Sequence, residues 1–198
     1  MYNWRKLTDK QQTDLLDWRC RMRYPWHSPP HRLSDIPVYH LTAACYEHRA
    51  IIGATEERLI GFADSLVACI AGETTEVYAW CVLPNHYHLL VHSENILALL
   101  KKLGPFHGRT SHAWNGEDDT RGRQVWCKAA ERGMRSERHR WATVNYIHNN
   151  PVHHGYVRRW QDWPFSSATE YLNTVGRAEA ERIWKEYPVL DYGKGWDD

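Results

Sequence analysis

The period of hydrophobic and polar positions changes along the chain, and the changes divide it. From Leu7 to Met22 the apolar residues recur at helical spacing. The next stretch, Tyr24-Pro25-Trp26-His27-Ser28-Pro29-Pro30, cannot continue a helix. Proline lacks the backbone donor and pushes its predecessor toward extended backbone. Residues 1–36 therefore read as a helical and aromatic/proline arm. From Pro37 the pattern tightens. VYHLTAACY (38–46) reads as a strand. Residues 55–72 carry Leu59, Ile60, Ala63, Leu66, Val67 and Ile70 at core spacing and read as a helix, with Thr55 at its start and Glu56 and Glu57 in its first turn. EVYAWCVL (76–83) and HYHLLVH (86–92) flank the turn signal Pro84-Asn85, which predicts a β-hairpin. Residues 95–114 read as a helix with a break near Gly104-Pro105. RQVWCKAAERGMR (123–135) reads as a strand, and 136–150 as a helix stopped by Pro151. The order β-α-β-β-α-β-α predicts an α+β fold with a ferredoxin-like core, in which helices cover an antiparallel sheet. Three regions follow: the arm over 1–36, a core over 37–155, and a C-terminal segment over 156–198 that packs on the core. No repeat or low-complexity tract interrupts them.

Composition narrows the class. A chain of 198 residues with 42% hydrophobic and 25% charged residues builds a core without staples and is neither disordered nor membrane-spanning. The start, MYNWRKLTDKQQ, lacks the apolar stretch of a secretory signal. Five cysteines at 20, 45, 69, 81 and 127 form no CxxC pair, which argues against a disulfide framework or zinc ribbon and fits a reducing cytosol. A net charge of +1 speaks at first against a polyanion partner. It averages unlike segments, however: residues 41–100 hold 2 basic and 7 acidic groups, and residues 101–140 hold 10 and 5. The basic middle segment reads either as a solvated face or as a phosphate-contacting surface.

Three motifs could carry chemistry. In LPNHYHLLV (83–91), His86 and His88 are two apart on a strand, so both imidazoles project from one face and Tyr87 from the other. Two adjacent imidazoles are half of a divalent-metal site, or simply two histidines on a strand. In NYIHNNPV (145–152), Tyr146 and Asn150 are four apart and share a helix face. They supply a phenol and an amide oxygen, or a packed aromatic and a helix end. His148 should point away from Tyr146, and His153-His154 should sit in a solvated loop. WQDWPFSS (160–167) reads as a plug that packs the C-terminal segment on the core, with a stacking surface for bases as the alternative. No P-loop, G-x-S-x-G, H-E-x-x-H or dinucleotide fingerprint occurs.

Taken in order, LPNHYHLLV, NYIHNNPVHHGYV and WQDWPFSS resemble the HUH single-tyrosine transposases, and among them the REP-associated tyrosine transposases. The likeness runs from Pro37 to Tyr171. It implies an HUH transposase/nuclease core over 37–155 in which His86, His88 and Asn150 hold Mg²⁺ or Mn²⁺ and Tyr146 is the nucleophile. The implied activity is single-stranded DNA cleavage and strand transfer near a hairpin, through a 5′-phosphotyrosine. The implied partner is single-stranded DNA with a REP-like palindromic hairpin, with no membrane, for a monomer or homodimer in the bacterial cytoplasm and nucleoid. In that context Arg121, Arg123, Lys128, Arg132, Arg135, Arg138 and Arg140 read as DNA-contacting residues. Two rival readings stay open: a domesticated hairpin-binding protein that does not cut, and a small metal-dependent hydrolase of another substrate.

Overall fold

The computed structural model describes residues 36–190 and Tyr192, together with Thr8, Lys10, Gln11, Thr13, Asp14 and Asp17. The chain divides into two compact units, Met1–Arg32 and Leu33–Asp198. In the first, the Thr8 hydroxyl accepts from the Gln11 amide while the Gln11 side chain accepts from the Thr8 amide. This is a capping box, and the described residues after it are helical. The rest of the proposed arm lies outside the described residues.

In the second unit, alternation makes VYHLTAA the strand β1 (Val38–Ala44). Helix α1 (Glu56–Ile70) starts at Thr55, whose side chain accepts from the Arg58 amide. Strands β2 (Glu76–Val82) and β3 (His86–His92) form the expected hairpin. Helix α2 (Ile96–Glu117), strand β4 (Ala130–Gly133) and helix α3 (Glu137–His153) follow. Two short helices, α4 (Ala168–Val175) and α5 (Arg177–Glu186), close the chain. The sheet order is β2-β3-β1-β4 with every neighbouring pair antiparallel, the order of a ferredoxin-like core. Among the described residues no helix is long and apolar enough to cross a membrane.

The two faces of the sheet have different work. On one face Tyr87 of β3 meets Phe62 of α1 at 5.9 Å and bonds His107 of α2 at 3.0 Å. Trp126 fills this core too, stacking on His107 at 4.4 Å. On the other face His88 meets Tyr146 of α3. The acidic Glu56, Glu57 and Asp64 ride on α1, the helix of the first face, and are exposed.

Several local expectations are corrected. Ile60 is exposed rather than core. Helix α2 runs unbroken through Pro105. Gly104 has no Cβ to meet the proline ring, and buried Leu103 and Phe106 hold the turn. Helix α3 runs two residues past Pro151, because the His154 amide reaches back to the Asn150 carbonyl and closes the last turn. The strand expected over 123–135 shrinks to Ala130–Gly133. Residues before it are zipped irregularly onto the end of β1 through Tyr46–Val125 and Cys127–Ala44 bonds while Trp126 is anchored in the core.

The hairpin tip is clamped from below. The Cys45 amide donates to the Asn85 carbonyl at 2.7 Å, the Gly53 amide to the Pro84 carbonyl at 2.9 Å, and the Asn85 side chain to the His48 carbonyl at 3.2 Å. A Cβ on Gly53 would come within 2.5 Å of the Pro84 Cβ and 2.8 Å of its Cα. Gly53→Ala is therefore expected to cost about 1–3 kcal/mol, as overpacking does. Denaturant unfolding checks this, and an unchanged midpoint would mean that the tip moves freely.

Candidate functional site

The site is built where β3 and α3 cross. Alternation along β3 sends His86 and His88 to the α3 face, with ring centroids 4.9 Å apart. Helical spacing sends Tyr146 and Asn150 down to meet them. The His86 Nε2 lies 3.0 Å from the Asn150 Oδ1, and its Nδ1 lies 2.7 Å from the Asn85 Oδ1. The His88 ring stands edge to face with Tyr146 at 5.2 Å. All four side chains are almost fully enclosed, with Tyr146 the most accessible at 5%.

Sequence reasoning missed one residue here. His40, on β1, places its Nε2 3.1 Å from the His88 Nδ1 and its ring 5.9 Å from Tyr146. It engages His88 Nδ1, so Nε2 is the nitrogen that His88 would offer to a metal, as with groups behind a metal-bound imidazole. Alternation along β1 could show that His40, Thr42 and Ala44 share a face. The register, which pairs Thr42 with His88 and His40 with Leu90, has no signature in the sequence. His154 was expected in a solvated loop. It instead lies half-buried with its ring 5.1 Å from His86, while His153 is exposed. His148 does point away: its Nε2 bonds the Ser167 hydroxyl at 2.9 Å.

The donor set fits a divalent ion. Imidazole nitrogens and a carbonyl-type oxygen are donors that divalent metal ions accept. The 3.0 Å between the His86 nitrogen and the Asn150 oxygen is close to the separation of adjacent ligands each about 2.1 Å from one octahedral ion. Burial above all, then the neighbouring His86, His40 and His154, pushes the His88 pKa well below the usual range, so its imidazole is neutral and ready to coordinate at neutral pH. Among the described residues no group of three or more His, Cys, Asp or Glu is arranged to hold a metal. The oxygen donor beside the two imidazoles is the Asn150 amide.

Of the seven basic residues, the structure brings Arg132 to this face. β4 pairs Arg132 with His40. Burial lowers its pKa, and the charge of Arg135 adds to that, while the phenols of Tyr192 and Tyr146 act the other way. Lys128, Arg135 and Arg138 are exposed. Arg121 bonds the His112 carbonyl, and Arg123 bonds Asn115 and Asp118, which ties both to the end of α2. Arg140 sits 5.0 Å over Tyr78 and 4.6 Å over Trp141. Tyr192 stands edge to face with Tyr146 at 5.4 Å and bonds the Thr143 hydroxyl.

The C-terminal motif plugs the far edge of the sheet. Trp163 Nε1 donates to the Val82 carbonyl, the Val82 amide to Phe165, and the Trp80 amide to the Ser167 hydroxyl. This agrees with the packing reading for Trp163. Trp160 is different: it is half-buried and makes no such bond to β2.

No family model matches the chain. A curated protein, the REP-associated tyrosine transposase of Escherichia coli (strain K12), is 33% identical over 93 residues, which is 46% of this chain and 53% of that protein. The chain thus spans about half the length of the curated relative it matches. A solved structure of a REP-associated tyrosine transposase bound to a REP hairpin covers 77% of this chain and 87% of that one. Its TM-score is 0.54 at 21% identity, which is agreement of fold. In sequence and in fold, this chain is similar to the REP-associated tyrosine transposases. The 93-residue match is shorter than the likeness read from Pro37 to Tyr171, and the structural match adds agreement of fold over 77% of the chain.

The buried histidines also set how stability depends on pH. Burial lowers the pKa of His107 to about 4 and of His148 to about 3, and His88 is lowered too. The unfolded chain takes up protons near pH 6.5, where the folded chain does not. Stability is therefore complete above about pH 7 and falls as pH drops below 6.5 toward 4, by on the order of 3 kcal/mol through His107 alone. Thermal melts from pH 8 to 4.5 are expected to show a falling Tm. A flat Tm would mean that these rings are charged or exposed.

Proposed function

We propose that the protein is a metal-dependent single-stranded DNA endonuclease and strand transferase that acts beside DNA hairpins through a 5′-phosphotyrosine. The observation that carries this is the convergence of Tyr146 with His86, His88 and Asn150 at one buried crossing of β3 and α3. The similarity to REP-associated tyrosine transposases supports it. Mg²⁺ or Mn²⁺ held by His86, His88 and Asn150 would polarise the scissile phosphate and stabilise its developing charge.

The protein's own residues supply position. Contacts with His88, His40 and Tyr192 hold the Tyr146 ring from three sides, so little freedom is lost when its oxygen attacks. A bond forms from the Tyr146 oxygen to phosphorus, and the bond from phosphorus to the 3′ oxygen breaks. The phenol proton passes to solvent, and the departing 3′ oxygen takes one up. A later 3′-hydroxyl attacks the same link and joins strands, because the phosphotyrosine conserves the bond energy. Arg132 sets a fixed positive charge beside the phenol and the phosphate it meets. Exposed Lys128, Arg135 and Arg138 track the backbone of the strand. Arg121, Arg123 and Arg140 belong to the same basic segment, but their guanidinium groups already hold the α2 end and the Tyr78–Trp141 edge.

The test is incubation with a pool of structured single-stranded DNA and Mn²⁺ or Mg²⁺, read for a protein band that shifts and survives denaturation. The shifted band is expected with either ion and absent with EDTA. Hairpin binding without such a band under any metal would favour a non-cutting hairpin-binding protein.

A further inference from the structure

Trp160 and Trp184 lie nearly parallel, 8° between their planes, with ring centroids 6.5 Å apart. Both line one cavity of about 220 Å³ at the C-terminal end of the fold. We propose that this cavity is a base-binding slot: it takes one unpaired nucleobase of single-stranded DNA between the two indoles. The proposal rests on the DNA-acting reading above and adds a second site, lined by other residues than the tyrosine site.

The spacing is the first argument. Successive stacked bases rise about 3.4 Å, so a base held between two rings needs them about 6.8 Å apart. The observed centroid separation of 6.5 Å, which is the most the gap between the two planes can be, comes close to that. The cavity is also smaller than the roughly 300–1,000 Å³ typical of drug-sized ligands, as suits a single base.

A rigid wall supports Trp160. Trp160 is also stacked with His148, parallel within 9° with ring centroids 5.6 Å apart. His148 is fully enclosed, neutral because burial lowers its pKa to about 3, and fixed by Ser167. Trp160 is therefore held in place before any ligand arrives, and a rigid stacking platform loses little freedom on binding.

The rim of the cavity is polar and charged. Arg177 and Lys185 line the cavity and are exposed, which suits the phosphates on either side of the base. Gln161 and Glu181 line it as well, and offer an amide and a carboxylate to a base edge. The slot connects to the tyrosine helix, since His148 stands two residues after Tyr146 on α3.

The test uses the full chain and a 12-nucleotide single-stranded DNA carrying 2-aminopurine, followed by anisotropy and by quenching of the 2-aminopurine. Trp184→Ala is expected to weaken binding about tenfold or more and to relieve the quenching, as loss of one base–aromatic stack does. Trp184→Phe keeps a ring and is expected to recover most of both. Wild-type affinity and quenching in Trp184→Ala, while the same protein still forms the Tyr146 adduct, would overturn the slot and leave the proposed function standing. A wild-type chain that neither binds this DNA nor forms the adduct would overturn both.

Discussion

Tyr146→Phe is expected to lower formation of the covalent protein–DNA adduct by about 1,000-fold or more, because it removes the attacking oxygen. Hairpin affinity should stay within about twofold, since the lost group acts in the transition state rather than in binding. The ring keeps its edge contacts with His88, His40 and Tyr192, so the fold persists. Among the described residues, Tyr192 is a phenol whose ring packs against Tyr146, and it serves as the control: it is bonded to Thr143 and to His139 at 3.1 Å. The measurement is adduct yield on a denaturing gel beside hairpin affinity by anisotropy. Persistence of the adduct in Tyr146→Phe would move the nucleophile elsewhere.

His86→Ala is the second large effect. It removes one nitrogen of the donor set and leaves the Asn150 amide without that partner, so adduct formation should fall by about 100-fold or more. It also leaves a void in a site that is nearly sealed, costing about 1–3 kcal/mol of stability. Activity and stability must therefore be read on the same sample. The role given to His40 separates the two. His40→Leu keeps the bulk but loses the bond to His88, and Mn²⁺ affinity without DNA should fall about 10- to 100-fold. His40→Gln restores a polar partner at that position and should recover much of it. Equal Mn²⁺ affinity in wild type and His40→Leu would make His40 a packing residue.

How much of this was legible in the sequence depends on the range of the interaction. The hairpin, with His86 and His88 on one face and Tyr87 on the other, follows from period-two alternation around a proline turn, and the structure has it. Tyr146 and Asn150 on one face follow from helical spacing. Their meeting with the histidines is a tertiary fact that only the family resemblance supplied. The failures are also long-range. Pro105 and Pro151 are local breakers overridden by packing and by a turn closed across the proline. Trp126 and Cys127 look like strand residues and are instead pinned by the core and by β1. His40 reached the site through strand register, and His154 through its contact with His86. Seven basic residues looked alike in sequence, but ion pairs and ring contacts that only the fold creates set Arg132 apart from Arg123 and Arg140.

The opposed charges of the middle of the chain also make sense in three dimensions. Acidic Glu56, Glu57 and Asp64 lie on α1, beyond the sheet from Tyr146, while Arg132 lies on the Tyr146 face. A net charge of +1 is thus compatible with a polyanion at one face, because the field is set by local arrangement rather than by the sum.

The central claim is that the Tyr146 oxygen becomes bonded to DNA phosphorus. It is tested most directly by digesting the metal-dependent adduct with nuclease and protease and mapping the modified peptide by mass spectrometry. A nucleotide phosphate is expected on Tyr146, in the peptide that carries Asn145-Tyr146-Ile147-His148. A nucleotide on any other residue, or an adduct-free protein that cuts DNA to a free 5′-phosphate, would contradict it.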